Sequence, residues 1–542
     1  MMKDSKNRRL KAAAIIAVIS GMIALATMPF DRVGGNSSPS QPACVISDSA
    51  GKAVQNNNDP LAKLLLSGGA CPPNVFDLRA RLLASGAKIK TAFVANRGFH
   101  NTAQGSFSIF ELVSGRLSTF GIELADGEFF FGHFTARIGN KLIANQQPNG
   151  LMVELIAWDP VKKLFNFYEL IGDGQRSQWF YRGDSLDIVT DVELLHRQPD
   201  PNRPQFGRRL RCSGCHIAGG PIMKELTAPH NDWWMSNRRL PFGGSSPDAE
   251  LTRILNGLVD ADELAGAVKA GLAKLGGSEK FQQAVKARPL QEQLRPLFCP
   301  VELNLESDPR PLDELATRIT IPSAFFVHPL LAQKIITINR ADYGAALLGL
   351  KAAFPEALPK RPDGDHGWLT PVKAFSDTMA IESLVKRGLI DQEFVGDVLA
   401  VDLTNPVFST ARCNLLRLLP SNADADWQKT FRDSLKAAAN NNPAAQELLN
   451  NLADLQRDAR FHQTRAARLL DQCQTRLQNR DAVIKLFQLL AQRRAEAFDS
   501  EISKNPRGQI LEPGFRVIFP TVTPPIRPGS FRLTEDGLVI RQ

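Results

Sequence analysis

The sequence predicts an α+β fold: an N-terminal, mostly antiparallel β domain followed by a predominantly helical region. Three observations lead there. Between about Lys90 and Leu195, short apolar runs rich in aromatic and branched residues alternate with turn residues, the texture of half-buried strands. From Leu251 onward, apolar residues recur three and four positions apart, the period of an amphipathic helix. Pro199, Pro201 and Pro204 separate the two textures. A length of 542 residues leaves room for more than one domain.

The elements follow in chain order. Lys3, Lys6, Arg8, Arg9 and Lys11 precede an uncharged run over residues 12–30, and Ala24-Leu25-Ala26 has the small-x-small pattern of a signal-peptidase site. Residues 1–26 therefore read as a signal peptide. Left uncleaved, the same run approaches the roughly 20 residues that span a bilayer and would be an inner-membrane anchor. Pro29 and Asp31 end it early, which favours cleavage. Residues 27–58 are rich in Gly, Ser, Asn and Pro and read as a flexible linker.

Residues 59–198 form the β-rich domain. A helical stretch over 60–83 opens it, with Leu61, Leu64, Leu65, Leu82 and Leu83 as its apolar positions. Strands are expected at 128–131, 152–156, 164–170 and 179–189, the last cut by Gly183-Asp184. Within this domain His133 and Trp158 read as packed or surface residues rather than site residues. Residues 199–420 form a second domain, 421–504 a helical segment and 505–542 a Pro-rich extended tail, with short strands at 515–519 and 537–540. Leu251, Ile254, Leu255 and Leu258 have helical spacing, as do Leu448, Leu449, Leu452 and Leu455, and Val483, Phe487 and Leu490. Residues 379–389 and 391–400 read as two helices, the second capped by Asp391.

The formal net charge is +9 at pH 7, and much of that excess sits in the leader. The remainder is modestly basic, and no nucleic-acid partner is expected. No G-x-S-x-G, H-E-x-x-H or P-loop pattern supports a hydrolase or NTPase reading.

The most specific feature is Cys212-Ser213-Gly214-Cys215-His216, a C-x-x-C-H pattern. Two thiols at this spacing can each bond a vinyl group of one porphyrin, and the adjacent His can meet the iron. A structural zinc site needs four ligands, but the chain has no second C-x-x-C and no H-x3-5-H. A redox dithiol leaves the His unexplained. At this motif the sequence resembles the c-type cytochromes, over the pentapeptide and a few flanking residues. The resemblance implies haem c attached covalently through Cys212 and Cys215, with His216 as an iron ligand. The helical region is then haem-bearing, and 199–420 is its c-type haem domain. Attachment of haem c in bacteria takes place outside the inner membrane, so the resemblance agrees with the leader on a periplasmic location.

The sixth iron ligand decides what such a haem does. A Met thioether suits electron transfer, whereas an open position suits gas binding or peroxide chemistry. Met235 and Met223 are the foremost candidates, with His230, His328 and Met379 behind them. Gly219-Gly220-Pro221 reads as a turn that lets backbone pass close to a flat ring, the plainer alternative being a simple turn. Trp233 and Trp234 read as packing on the porphyrin. Arg203, Arg208, Arg209, Arg211, Arg238 and Arg239 are candidates to anchor haem propionates or to form a basic rim for an acidic partner.

The expected function is an exported monohaem c-type cytochrome that exchanges one electron with a periplasmic redox partner protein. The alternatives are a haem enzyme of peroxidase or oxygenase type and a haem-based sensor, both with an open distal site. The di-haem bacterial peroxidases carry two C-x-x-C-H motifs, and this chain carries one. Cys44, Cys71, Cys299, Cys413 and Cys473 lie outside the motif, an odd number. Pairing of Cys44 with Cys71 would tie down the N-terminal arm, and pairing of Cys413 with Cys473 would staple two helical segments. Spacing alone leaves the pairing open.

Overall fold

Nine strands build a mixed, mostly antiparallel sheet in the N-terminal half of the chain, and a largely helical region follows. The computed structural model describes residues 43–48, 50–95, 107–144, 151–172, 177–190, 216, 218–221, 234, 236, 245–299, 303–306, 317–349, 370–373, 375–406, 409–453, 458, 460–487, 489, 531–533 and 539–541. All of them belong to one unit, Ala43–Gln542. The expected leader, most of the linker and the Pro199–Pro204 boundary lie outside the described residues.

In chain order the strands are β1 (Ile46–Ser47), β2 (Ala87–Ala95), β3 (Phe107–Leu117), β4 (Ile122–Ile138), β5 (Lys141–Ala144), β6 (Leu151–Asp159), β7 (Leu164–Gly172), β8 (Ser177–Asp184) and β9 (Ser246–Pro247). Their spatial order is β1-β8-β7-β6-β4-β3-β2, with β5 on the far half of β4 and β9 beside β5. The short β1 and β9 pair in parallel with β8 and β5; the other pairings are antiparallel. The expected strands at 128–131, 152–156 and 164–170 fall within β4, β6 and β7. The run at 179–189 divides where its glycine stands: β8 ends at Asp184, and helix Ser185–Thr190 begins.

Side chains alternate along each strand, so the sheet has two faces, and both are covered. The first face carries Val113, Phe129, Phe131, Leu155, Tyr168 and Trp179, and packs under helices Pro60–Leu66 and Val75–Ala84. At its β2–β3 end, Phe93, Phe107 and Ile109 join Leu142 beneath Leu251 and Ile254 of helix Ala249–Leu255. The second face carries Val94, Leu112, Phe130, Ile156, Phe165 and Phe167. Helix Ala261–Gly276 covers it with Leu264, Val268, Leu272 and Leu275, beside Ile188 and Val189 of Ser185–Thr190 and Phe281 of helix Glu279–Lys286.

A separate, larger core runs from Leu290 to Phe487. It joins helices Leu290–Phe298, Gln392–Ala400, Trp427–Ala439, Pro443–Ala453 and Phe461–Arg476. Asp391 caps Gln392–Ala400 through the Phe394 amide at 2.7 Å, as its position before the apolar run predicts. In the tail, Phe531–Leu533 pairs with Val539–Arg541, while the strand expected at 515–519 lies outside the described residues.

Among the described residues two disulfides staple the chain. Cys44–Cys71, one of the pairings the sequence leaves open, ties the N-terminal arm to the segment before helix Val75–Ala84. Cys413 pairs with Cys299, not with Cys473. Cys299 ends helix Leu290–Phe298, and helix Thr410–Asn414 packs against that end, so a bridge spanning 114 residues is local in space. Cys473 remains a half-buried thiol, pushed above its ordinary pKa by burial. Disulfides persist in oxidising compartments, so these two bridges fit a location outside the cytosol. Among the described residues, no helix is long and apolar enough to cross a membrane.

One backbone contact docks the covering helix on the sheet. Gly127 in β4 takes φ +90°, and a Cβ placed on it would stand 2.5 Å from the Ala267 carbonyl. A Cβ on Gly271 of the helix would stand 2.6 Å from the Gly127 carbonyl. Gly266, in the same helix, has open space around it. Gly-to-Ala changes inside a helix ordinarily stabilise by up to about 1 kcal/mol, whereas overpacking costs about 1–3 kcal/mol. We therefore expect Gly266→Ala to raise stability by about 0.5–1 kcal/mol and Gly271→Ala to lower it by about 1–2 kcal/mol in denaturant melts.

Candidate functional site

The ring of His216 packs on the second face of the sheet. It meets Phe167 of β7 edge-on, with centroids 5.2 Å apart and planes at 64°. Beyond His216 the chain turns back. The Gly219 amide donates to the His216 carbonyl at 2.7 Å, with Gly219 at φ +75°. This brings the Gly220 carbonyl to 2.7 Å from His216 Nδ1. A carbonyl only accepts, so Nδ1 holds the proton, and the neutral imidazole carries its lone pair on Nε2. A backbone carbonyl on one ring nitrogen is the usual way a protein orients a metal-binding His.

The turn that supplies this carbonyl is wedged between helices. A Cβ on Gly219 would lie 2.8 Å from Val189 Cγ1 and 2.9 Å from the Ser185 carbonyl. One on Gly220 would lie 2.8 Å from Leu272 Cδ2, and one on Gly271 would lie 2.5 Å from Pro221 Cγ. The two glycines answer to helices Ser185–Thr190 and Ala261–Gly276, which leave no room for a side chain at either position. Their effect is to lock the carbonyl that holds His216.

A buried ion pair lies on the same face. Glu169 follows Phe167 by two positions in β7 and accepts from Arg182 Nε at 2.5 Å; both side chains are fully buried. Arg182 is the extra residue of a β-bulge: Phe167 faces Gly183 and Tyr168 faces Tyr181, which leaves Arg182 between them. Its guanidinium lies 4.9 Å over the Phe180 ring. Nη1 and Nη2 have no hydrogen-bond partner. The signal for this residue in the sequence is a single Arg inside the aromatic run Trp179-Phe180-Tyr181-Arg182.

The other expected site residues separate clearly. Cys212, Cys215, Met223, His230, Trp233 and Met235 lie outside the described residues, as do Arg203, Arg208, Arg209, Arg211, Arg238 and Arg239. His328 is buried, and the Leu330 amide donates to its Nδ1 at 3.2 Å. That nitrogen's lone pair is spent and the neutral ring holds its proton on Nε2, the reverse of His216. Met379 is half-buried against the apolar cluster that contains Phe167. Trp234 donates its amide to the Phe93 carbonyl at 2.8 Å and packs on the Phe93–Phe107 cluster of the first face. Its ring packs on protein, across the sheet from His216.

His133 is packed, and more tightly bonded than expected. Its Nε2 lies 3.1 Å from Glu111 Oε1, and Thr91 Oγ1 donates to Glu111 Oε2 at 2.7 Å. Arg79 pairs with the same carboxylate. This cluster lies on the first face, and His133 Nδ1 in it is buried without a hydrogen-bond partner. His462 and Asp397 form a second buried pair, at 2.9 Å, in the helical region.

No protein-family model, curated protein or solved structure matches this chain. The resemblance to the c-type cytochromes accordingly rests on the C-x-x-C-H pentapeptide alone.

The Glu111 cluster has a measurable acid signature. Burial by itself raises the Glu111 carboxyl, but the His133 hydrogen bond and the Arg79 charge outweigh it and hold the group below its ordinary value of 4.5. A carboxyl depressed by folding adds stability above its unfolded pKa and loses it as pH falls through the folded value. Unfolding free energy should therefore drop as pH falls below 4.5. Glu111→Gln should cost about 3 kcal/mol at neutral pH, because it leaves buried partners uncompensated, and should flatten the acid limb. Denaturant melts across the acid range check both effects.

Proposed function

We propose that this chain is an exported monohaem c-type cytochrome that passes one electron to or from a redox partner protein in the periplasm. The observation that carries the reading is the C-x-x-C-H pattern whose His216 is held by the Gly220 carbonyl with its lone pair on Nε2. The donor set fits haem c: two thiols at Cys212 and Cys215 for the vinyl groups, an imidazole nitrogen for the iron, and an apolar wall led by Phe167. When bound, haem c supplies an iron that alternates between ferrous and ferric states.

The chain's own residues supply the rest. The Gly220 carbonyl fixes the plane of the His216 ring and raises its basicity. Because Gly219, Gly220 and Pro221 are packed against two helices, the ligand is held in one position, which suits a change of charge without a change of geometry. The core that contains Phe167 gives the ligand side an apolar wall. A thioether from Met235 or Met223 on the opposite side would favour the ferrous state; Met379 is the described methionine that packs on the same core as Phe167. The leader and the two disulfides support the periplasmic compartment, and an uncleaved leader would hold the protein at the inner membrane.

Expression with the haem-attachment machinery tests the reading. We expect haem to stay with the wild-type band on a denaturing gel and to be lost when Cys212 and Cys215 are both replaced by Ser. Carbon monoxide added to the reduced protein should leave its spectrum unchanged. Replacing the true distal Met, tested one at a time at Met235, Met223 and Met379, should make the iron bind carbon monoxide. Absence of covalent haem from the wild type defeats the proposal. Rapid, complete carbon monoxide binding by the wild type would instead favour a haem enzyme of peroxidase or oxygenase type, or a haem-based sensor.

A further inference from the structure

Helix Ala261–Gly276 meets the turn beyond His216 at a residue that has no side chain. A Cβ on Gly271 would stand 2.5 Å from Pro221 Cγ, 2.6 Å from the Gly127 carbonyl and 3.4 Å from Phe165 Cζ. Gly271 has a negative φ, so its backbone would accept any residue. Glycine weakens a helix, and here it serves contact rather than conformation. Gly266, earlier in the same helix, has open space around it and makes no such contact.

The contact with Pro221 leads directly to His216. The Gly220 carbonyl and the Pro221 nitrogen belong to one planar peptide unit. The pyrrolidine ring is fused to that nitrogen, so the ring that touches Gly271 and the carbonyl that holds His216 Nδ1 move as one stiff body. The helix is the firmer side of the contact. Leu264, Val268, Leu272 and Leu275 root it in the apolar core, and Asp260 before its first turn accepts from Ser236 Oγ at 3.0 Å. The turn is short and is closed by the Gly219 amide on the His216 carbonyl. Any change in the fit at Gly271 is therefore taken up by the turn.

We infer that Gly271 is a positioning residue for His216: its fit against Pro221 sets the place of the Gly220 carbonyl, and with it the hydrogen bond from Nδ1. The redox consequence rests on the haem reading above. A firm hydrogen bond at Nδ1 makes Nε2 the better donor and favours ferric iron, so helix Ala261–Gly276 tunes the potential without touching the cofactor.

The test uses full-length holoprotein. Gly271→Ala should displace the Pro221 ring, weaken the hydrogen bond and raise the reduction potential. The His216 Nδ1 proton of the ferrous protein should exchange faster with solvent by NMR. Gly266→Ala should change neither readout. In a Pro221→Ala background, which lacks the ring, Gly271→Ala should shift the potential much less, because the two residues act through one contact. Leu272→Ala removes the wall beside Gly220, gives the turn slack and should raise the potential too, which decides the matter if Gly271→Ala does not fold. Wild-type potential and exchange in Gly271→Ala, or equal shifts with and without Pro221, would overturn the inference and leave Gly271 as a helix–sheet contact. Absence of covalent haem from the wild type defeats the haem reading alone. The His216 tautomer, read by 15N NMR in the full-length chain, then decides: the Nδ1–H form should dominate in the wild type and in Gly266→Ala and be lost in Gly271→Ala. Its persistence in Gly271→Ala would overturn the positioning role.

Discussion

The hydrogen bond between His216 Nδ1 and the Gly220 carbonyl is the contact on which the functional reading depends, and it is built by packing. Gly219 and Gly220 have no room for a side chain, because Val189, Ser185 and Leu272 stand where a Cβ would go. Pro221 abuts Gly271, and Gly271 abuts Gly127 in the sheet. A chain of close backbone contacts thus runs from β4, through helix Ala261–Gly276, to the turn that orients His216. An exposed loop could form the same hydrogen bond only at the cost of ordering itself, whereas this turn is ordered by the core it fills.

The two faces of the sheet divide the work. On the first face Glu111 is met by His133, Thr91 and Arg79, and Asp59 accepts from Tyr168 and Asn166 beneath helix Pro60–Leu66. Burial raises the Asp59 carboxyl despite those hydrogen bonds. The second face holds His216 on Phe167 and a guanidinium with an unmet edge. His216 therefore packs on the sheet itself, through Phe167, and on the helices that cover it.

Much of the architecture was legible before any coordinates. Alternating aromatic runs placed β4, β6 and β7, and three-four spacing placed the helices around Leu251, Leu448 and Val483, because both patterns report local burial. Asp391 was readable as a cap because it depends on near neighbours, and Cys44 with Cys71 was one of the pairings the spacing left open. What escaped depends on non-local register. Cys413 finds Cys299 only after helices pack. Trp234 lands on the Phe93 edge of the opposite face, although it stands near the motif in sequence. Arg182 faces the His216 side because of one extra residue in β8, and a bulge leaves little trace in composition. The C-x-x-C-H pattern was legible as a motif, while the packing that gives His216 its tautomer was not.

The most direct measurement is anomalous diffraction from crystals of the full-length protein, collected at the iron and zinc absorption edges. The account predicts one iron peak per chain, bonded to Nε2 of His216, with Nδ1 still on the Gly220 carbonyl and Cys212 and Cys215 joined to one porphyrin. A zinc peak at the two thiols, or iron bonded elsewhere than His216 Nε2, would contradict it.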